Sequence, residues 1–253
     1  MPWIVASGIL PLMQSANWYR IGLVILLILT GVSASAHPIH AGQSDVITSG
    51  PPSCRSIALT FDLCPVRAKP GFDAALIDYL KAREIPATFF VSGRWAEQHQ
   101  EDVRALQAVP FFEIGTHGED HAHLPLLDEP GQQAEISRAV SLMRSRYHLS
   151  AGLFRPPYGE YDDVTVRVVK SLGLQFILWN LVSGDPDPTL PADAILDRVA
   201  RRLRPGSIVV FHANGKGKHT REVIQALDET VLPRAQLRAV TVTELLTCRK
   251  PTP

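Results

Sequence analysis

The stretch Ser56-Ile-Ala-Leu-Thr-Phe-Asp62 indicates the class of fold, because a nearly unbroken apolar run ends at an acidic residue. A strand that is apolar on both faces is typical of a parallel sheet covered by helices on both sides. Similar short runs recur along the chain. The predicted strands span residues 57–61, 87–91, 111–116, 152–155, 175–179, 208–212 and 239–242.

Segments with helical spacing separate these runs. In residues 73–81, Leu76, Ile77 and Leu80 fall on one face of a helix, and residues 193–203 repeat the pattern. Residues 162–172 and 220–232 are further predicted helices. Alternating strands and helices predict an α/β fold with about seven parallel strands, and at 253 residues a closed or nearly closed barrel is the simplest arrangement.

The overall composition is that of an ordinary globular protein, and its charge balance does not point to a strongly charged binding partner. Hydrophobic residues make up 45% of the chain, and the 25 Lys and Arg residues equal the 25 Asp and Glu residues. This balance calls for neither nucleic acid nor an anionic membrane surface as a partner.

The first 36 residues are predicted to be a signal peptide. Arg20 precedes an apolar run at residues 21–30, and Ala34-Ser35-Ala36 matches a cleavage signal. An uncleaved N-terminal anchor is the alternative and would be the chain's only membrane contact. Residues 37–53 are predicted to be a linker and residues 54–250 a catalytic domain. The protein is therefore expected to be exported, to the periplasm or the extracellular space.

Export would place the three cysteines in an oxidising compartment. Cys54 precedes the first predicted strand and Cys248 lies near the end of the domain, so a bridge between them would join the two ends of the fold. The competing pair is Cys54 with Cys64.

Polar residues gather at or after the ends of the predicted strands. They are Asp62, His117, His121, Arg155, Asp185 and His212. Alone, Asp62 could cap a helix, and a single histidine could lie on the surface or in the core. In parallel barrels, however, the carboxyl ends of the strands meet at the face that holds the active site. The set together predicts such a site.

Five motifs in this order resemble the polysaccharide deacetylases, also called NodB-homology or carbohydrate esterase family four proteins. The T-F-D-D-G-P motif corresponds to residues 60–65, H-S/T-x-x-H to residues 117–121, and R-P-P-Y-G is intact at residues 155–159. The Asp-x-x-Asp-Trp motif survives in part at residues 182–186, and the apolar strand ending in histidine spans residues 208–212. The resemblance covers roughly residues 55–247 and implies a distorted (β/α) barrel.

The resemblance implies roles for the matching residues. Asp62 would be the general base that takes a proton from the water attacking an acetyl carbonyl, and Arg155 would orient it. His212 would be the general acid for the leaving amine, assisted by Asp185. A backbone N–H near Tyr158 would face the developing oxyanion.

The resemblance also implies a divalent metal, zinc or cobalt-like, held by His117 and His121. The family's third ligand is the second Asp of the first motif, and Leu63, which cannot coordinate a metal, stands in that place. Catalytic zinc usually has three protein ligands. Loss of the metal is one alternative; otherwise the third ligand remains open among Asp62, Glu113, Glu119, Asp120 and Cys64.

Further residues are predicted to bind substrate. They are Pro157, Tyr158 and Trp179 beside the catalytic motifs, and Asn214 and His219 in the Gly-rich loop at residues 212–220. A flexible surface loop is the alternative for that segment.

The leading hypothesis is a monomeric hydrolase that removes acetyl groups from an N-acetylated or O-acetylated polysaccharide. Two alternatives stay open. Leu63 motivates a metal-independent hydrolase of a small amide. The altered first and fourth motifs motivate a non-catalytic carbohydrate-binding barrel.

Overall fold

A parallel sheet organises the residues described by this computed structural model, which are 45–66 and 71–248. Its strands within those residues are β1 (Val46–Ile47), β2 (Ser56–Leu63), β3 (Ala87–Val91), β4 (Phe112–Thr116), β5 (Leu153–Phe154), β6 (Gln175–Ile177), β7 (Leu181–Val182), β8 (Ile208–His212) and β9 (Arg238–Val240). Neighbouring strands follow the order β1-β6-β5-β4-β3-β2-β8-β7, and β9 also pairs with β2. The predicted α/β class and distorted parallel barrel are confirmed.

Helices cover the outside of this sheet. The α-helices of the described residues are α1 (Ala74–Ala82), α2 (Gly93–Gln98), α3 (Gln100–Gln107), α4 (Glu129–Tyr147), α5 (Asp163–Ser171), α6 (Ala192–Ala200), α7 (Thr220–Ala226), α8 (Leu232–Ala235) and α9 (Val242–Thr247). The side chains of Asp73 and Asp162 accept the N–H groups that open α1 and α5, so local capping sets where these helices begin. None of the helices in the described part of the chain has the length and apolar character needed to cross a bilayer.

The alternation of side chains along β2 decides which residues reach the barrel interior. Phe61 and Leu63 pack in the apolar layer that includes the helices, whereas Ala58 packs with Phe90 and Ile208 in a separate inner cluster. Successive side chains of a strand point to opposite faces, so Asp62 lies on the same side as Ala58. The strand thereby directs a carboxylate inward and an adjacent leucine outward.

Two short strands were not predicted. β1 lies within the segment predicted as a linker, and it pairs with β6, so residues 46–47 belong to the sheet. β7 pairs with β8 and precedes the loop that carries Asp185. The predicted signal peptide, residues 37–44 of the predicted linker, and residues 67–70 and 249–250 of the predicted domain lie outside the described residues.

A disulfide joins the two ends of the domain. Cys54 and Cys248 are bonded across 194 positions of sequence, as predicted, and Cys64 is a buried free thiol. The competing pairing of Cys54 with Cys64 is therefore wrong, because β2 carries Cys64 to the opposite end of the strand from Cys54.

Candidate active site

The register of two adjacent strands brings the predicted base and acid side by side. Asp62 of β2 and His212 of β8 are direct partners in the parallel pairing. Neighbouring strands lie about 4.8 Å apart, so both residues leave the sheet at the same level. Both line one cavity of about 170 Å³ at the carboxyl ends of the strands.

Arg155 holds Asp62 from behind the cavity. Its Nη1 donates to Oδ1 of Asp62 at 2.8 Å, and its Nη2 donates to the carbonyl of Leu178 at 3.2 Å. The guanidinium also lies over the ring of Phe90, 4.0 Å from its centroid. Burial raises the pKa of Asp62, but the charge and hydrogen bond of Arg155, together with the nearby His117 and His212, outweigh it and leave that pKa below its usual value. The carboxylate is therefore ionised at neutral pH and fixed in orientation.

Asp185 holds His212 in a comparable way. Its Oδ1 accepts from the ring Nδ1 of His212 at 3.0 Å, and its Oδ2 accepts from the backbone N–H of the same residue at 2.8 Å. The hydroxyls of Ser183 and Thr220 donate to the same carboxylate at 2.8 and 2.7 Å. Because Nδ1 donates to Asp185, the other ring nitrogen, Nε2, is available for proton transfer.

The two predicted metal-binding histidines also line the cavity. Nδ1 of His117 donates to the carbonyl of Arg155 at 2.8 Å, which leaves its Nε2 unprotonated and 3.7 Å from Oδ2 of Asp62. Ligating histidines usually have such a partner for the second nitrogen. The ring of His121 lies 4.9 Å from that of His117, centroid to centroid. Burial lowers the pKa of His121 to about 3, so this ring is neutral.

A third metal ligand is missing from this arrangement. Within residues 45–66 and 71–248, no group of three or more His, Cys, Asp or Glu side chains is placed to hold a metal ion. Leu63 is fully buried in the helix-facing core. Two imidazoles alone do not fit a catalytic zinc site with three protein ligands.

The other glutamates and aspartates considered as third ligands, apart from Asp62, lie outside the cavity. Glu113 bonds Thr88 and the hydroxyl of Thr243, far along β4 from the cavity. Asp120 is paired with Arg94, and neither it nor Glu119 lines the cavity. Asp62 and Cys64 do line it.

The residues predicted to bind substrate divide into two groups. Tyr158 and Trp179 line the cavity, whereas Pro157 is buried behind it. Asn214 does not line the cavity, and its side-chain amide donates to the carbonyl of the cavity residue Cys64 at 3.0 Å. His219 does not reach the cavity, because it immediately precedes α7 and its ring bonds Glu222 of that helix at 3.2 Å.

Two kinds of cavity residue were not predicted from the sequence. Lys216 lines the cavity from the Gly-rich loop, which favours the site-lining interpretation of that segment over the surface-loop one. Its position four residues after His212, within the same loop, was the available signal. Val182 and Ser183 reach the cavity through β7, a strand too short to recognise by pattern. Burial raises the pKa of the Cys64 thiol to about 11, so this cavity residue is protonated.

Comparison with solved structures agrees with the fold. The crystal structure of the Bc1960 peptidoglycan N-acetylglucosamine deacetylase is similar to this chain with a TM-score of 0.70 and 25% identity, over 81% of this chain and 94% of that one. A family four carbohydrate esterase pseudoenzyme from Bacillus anthracis aligns with a TM-score of 0.71 over 79% of this chain and 68% of that one. The pseudoenzyme is 24% identical, so it bears on the fold alone.

Comparison of sequences identifies the family. A chitooligosaccharide deacetylase from Sinorhizobium fredii is 33% identical over 162 residues, which are 62% of this chain and 71% of the relative. The chain spans about half, 53%, of another relative, an uncharacterized protein from Streptomyces coelicolor that is 36% identical over 141 residues. The family profile described as polysaccharide deacetylase matches residues 49–177, just over half of the chain. The chain therefore belongs to the polysaccharide deacetylase family.

Proposed function

We propose that the protein is a hydrolase that removes acetyl groups from an N-acetylated polysaccharide, with Asp62 as general base and His212 as general acid. The observation that carries the proposal is the pairing of these two residues in register on adjacent strands, each held by its own buried partner. Hydrolysis of an amide needs a proton acceptor and a proton donor on one reacting centre. O-acetyl groups fit the same chemistry.

The proposed reaction proceeds in two steps. Asp62 takes a proton from water as the water oxygen forms a bond to the acetyl carbonyl carbon, and the carbonyl oxygen gains negative charge. Nε2 of His212 then gives a proton to the amine nitrogen as the carbon–nitrogen bond breaks, which releases acetate and the amine. The depressed pKa of Asp62 keeps it ionised, at the expense of basicity.

The turn at Pro157–Gly159 supports the proposed place of the oxyanion. Tyr158 has a left-handed backbone there, with φ of 60°, which is uncommon outside glycine. Strained backbone of this kind persists where the surroundings over-determine it, often at functional sites. A backbone N–H donor at an oxyanion is typically worth about 3 kcal/mol.

The family's deacetylases generally use a divalent metal. In this chain His117 and His121 supply two nitrogen donors, and the donor set falls one ligand short. The proton transfers described above use the chain's own groups.

Acetate release from chitooligosaccharides and from peptidoglycan tests the proposal. We expect Asp62→Asn and His212→Ala each to abolish release, because each removes one proton-transfer group. Asp187→Asn is the matched control, since Asp187 is an exposed residue two positions after Asp185 that bonds only within its own turn to Thr189. Undiminished turnover in both site variants would refute the assignment, and glycan binding without turnover by the wild type would favour the non-catalytic barrel.

The position of Leu63 favours a second candidate, a metal-independent hydrolase of a small amide. The residue that replaces the family's third ligand is committed to the apolar core rather than to the cavity. Metal analysis of protein purified without chelator separates the candidates. One equivalent of zinc or cobalt that is lost on replacing His117 would eliminate the metal-independent version.

Export of a monomer to the periplasm or the extracellular space completes the proposal. The disulfide between Cys54 and Cys248 supports it, because such bonds persist mainly in oxidising compartments. Mass spectrometry of the secreted chain is expected to find His37 as its first residue. A chain that retains residues 1–36 would instead be anchored by them.

A further inference from the structure

The buried residue Glu135 on α4 binds the loop that connects the two cavity histidines, His117 and His121. The Oε1 atom of Glu135 accepts the backbone N–H of Asp120 at 2.8 Å and that of Ala122 at 3.2 Å. The backbone carbonyl of Glu135 accepts a third N–H, that of Glu119, at 2.9 Å. A single residue therefore binds three of the four backbone N–H groups that surround and include His121.

His121 needs this support because its backbone is in a left-handed conformation, with φ of 59°. That region costs a non-glycine residue about 1–2 kcal/mol, so it must be imposed by surrounding contacts. Gly118 of the same loop is also left-handed, with φ of 71°, and a Cβ there would lie 3.0 Å from Oε1 of Glu135. The loop is thus shaped around the carboxylate.

The conformation matters because it aims a ring at the cavity. His121 lines the cavity and lies edge-on to Tyr158, with 4.4 Å between the ring centroids. In an extended or right-handed helical backbone the same side chain would leave the chain in another direction. We propose that Glu135 is a positioning residue that places the His121 ring in the cavity, and that turnover depends on it. The part of this inference that concerns turnover rests on the proposed function.

Three variants separate positioning from a general structural role. Glu135→Met keeps the buried volume and removes the oxygen that accepts both loop N–H groups. Glu135→Gln keeps an oxygen at that position, so both bonds can form again. Gln132→Met is the matched control: Gln132 is equally buried one turn earlier on α4, but it bonds Leu127, Asp162 and Thr165 rather than the loop.

Backbone hydrogen exchange, followed by NMR, measures how well the N–H groups of the loop are protected, and it does not depend on catalysis. In the wild type the N–H groups of Asp120 and Ala122 are expected to exchange slowly, although they lie outside helices and strands. Glu135→Met should accelerate these two groups, while Glu135→Gln and Gln132→Met should leave them protected. Rapid exchange of both groups in the wild type would overturn the inference even if no variant folds.

Kinetics with an acetylated oligosaccharide give the second measurement. Glu135→Met is expected to lower kcat by about 100-fold, the scale of a misplacement of about 1 Å in a group that lines the reacting site, and Glu135→Gln to restore most of it. Equal losses in Glu135→Met and Gln132→Met would overturn positioning in favour of a structural role. If the wild type turns over no acetylated glycan, the proposed function fails, and the exchange data alone decide the positioning of His121.

Discussion

Replacing Arg155 by methionine should expose how strongly Asp62 depends on its partner. Arg155 is fully buried and bonds Asp62 at 2.8 Å, and methionine would keep an apolar contact with the Phe90 ring. Removing one member of a buried ion pair leaves the other charge uncompensated, which costs about 3–5 kcal/mol. We expect a loss of this size in the free energy of unfolding at neutral pH.

The pH dependence of that loss is the sharper test. In the wild type the folded pKa of Asp62 lies below the ordinary aspartate pKa of 3.8, so the stabilisation is present above pH 3.8 and is lost as the pH falls through the folded pKa. Without Arg155, burial dominates and the folded pKa should rise above the unfolded one. The variant should therefore lose stability as the pH rises through that interval, and the difference from wild type should grow from acidic to neutral pH.

Urea unfolding followed by tryptophan fluorescence between pH 4 and pH 8 measures both effects. Asp62→Asn in the Arg155→Met background should abolish the pH-dependent part, because it removes the titrating group. Arg201→Met is the control for a surface pair: Arg201 bonds Asp197 on the exposed face of α6 and should cost no more than about 0.5 kcal/mol. A difference between wild type and Arg155→Met that stays constant from pH 4 to pH 8 would refute the coupling.

Three other predictions concern the framework of the site. Cys54→Ala opens the disulfide across 194 positions and should lower the free energy of unfolding by about 3–5 kcal/mol without changing kcat in the folded enzyme; an unchanged urea midpoint would contradict this. Leu63→Asp should lower the free energy of unfolding by about 3–5 kcal/mol, because it buries an unpaired carboxylate, and metal analysis should find no stoichiometric zinc; a stable variant that binds one zinc would contradict this. Gly217→Ala places a methyl group against the carboxylate of Asp185 and should lower kcat, whereas Gly152→Ala, in open space, should not; equal kcat values would count against the close approach.

The main architecture could be predicted because it follows from local patterns. β2, β3 and β8 are largely apolar on both faces, and α1, α5 and α6 carry regular apolar stripes. Each of these elements can therefore be recognised from its own sequence, without knowing which elements it packs against. Because the apolar runs of β2 and β8 are easy to recognise, the sequence also predicted that Asp62 and His212 lie at the ends of strands. Their pairing in register followed from the order of strands, which depends on the whole sheet.

Other features depend on contacts that no local pattern contains. β1 and β7 have two residues each and exist only because they pair with β6 and β8. Helix α4 was missed because its buried stripe begins with two polar residues, Gln132 and Glu135, before the apolar positions. Those polar residues satisfy distant groups, a helix cap in one case and the histidine loop in the other. A polar residue within an otherwise apolar helical stripe is thus the signal that would have pointed to them.

One geometric fact makes the departure from the family at Leu63 compatible with the proposed acid and base. Adjacent residues of β2 face opposite sides of the sheet, so the side chain at position 62 lines the cavity and the side chain at position 63 packs against the helices that cover the barrel. A leucine at 63 extends the apolar layer without disturbing the carboxylate beside it, whose orientation is set by Arg155. In this chain the residue at position 63 can therefore change without disturbing the proposed proton-transfer residue at position 62. For that reason the metal content and the catalytic competence of this chain are separate questions, and each needs its own measurement.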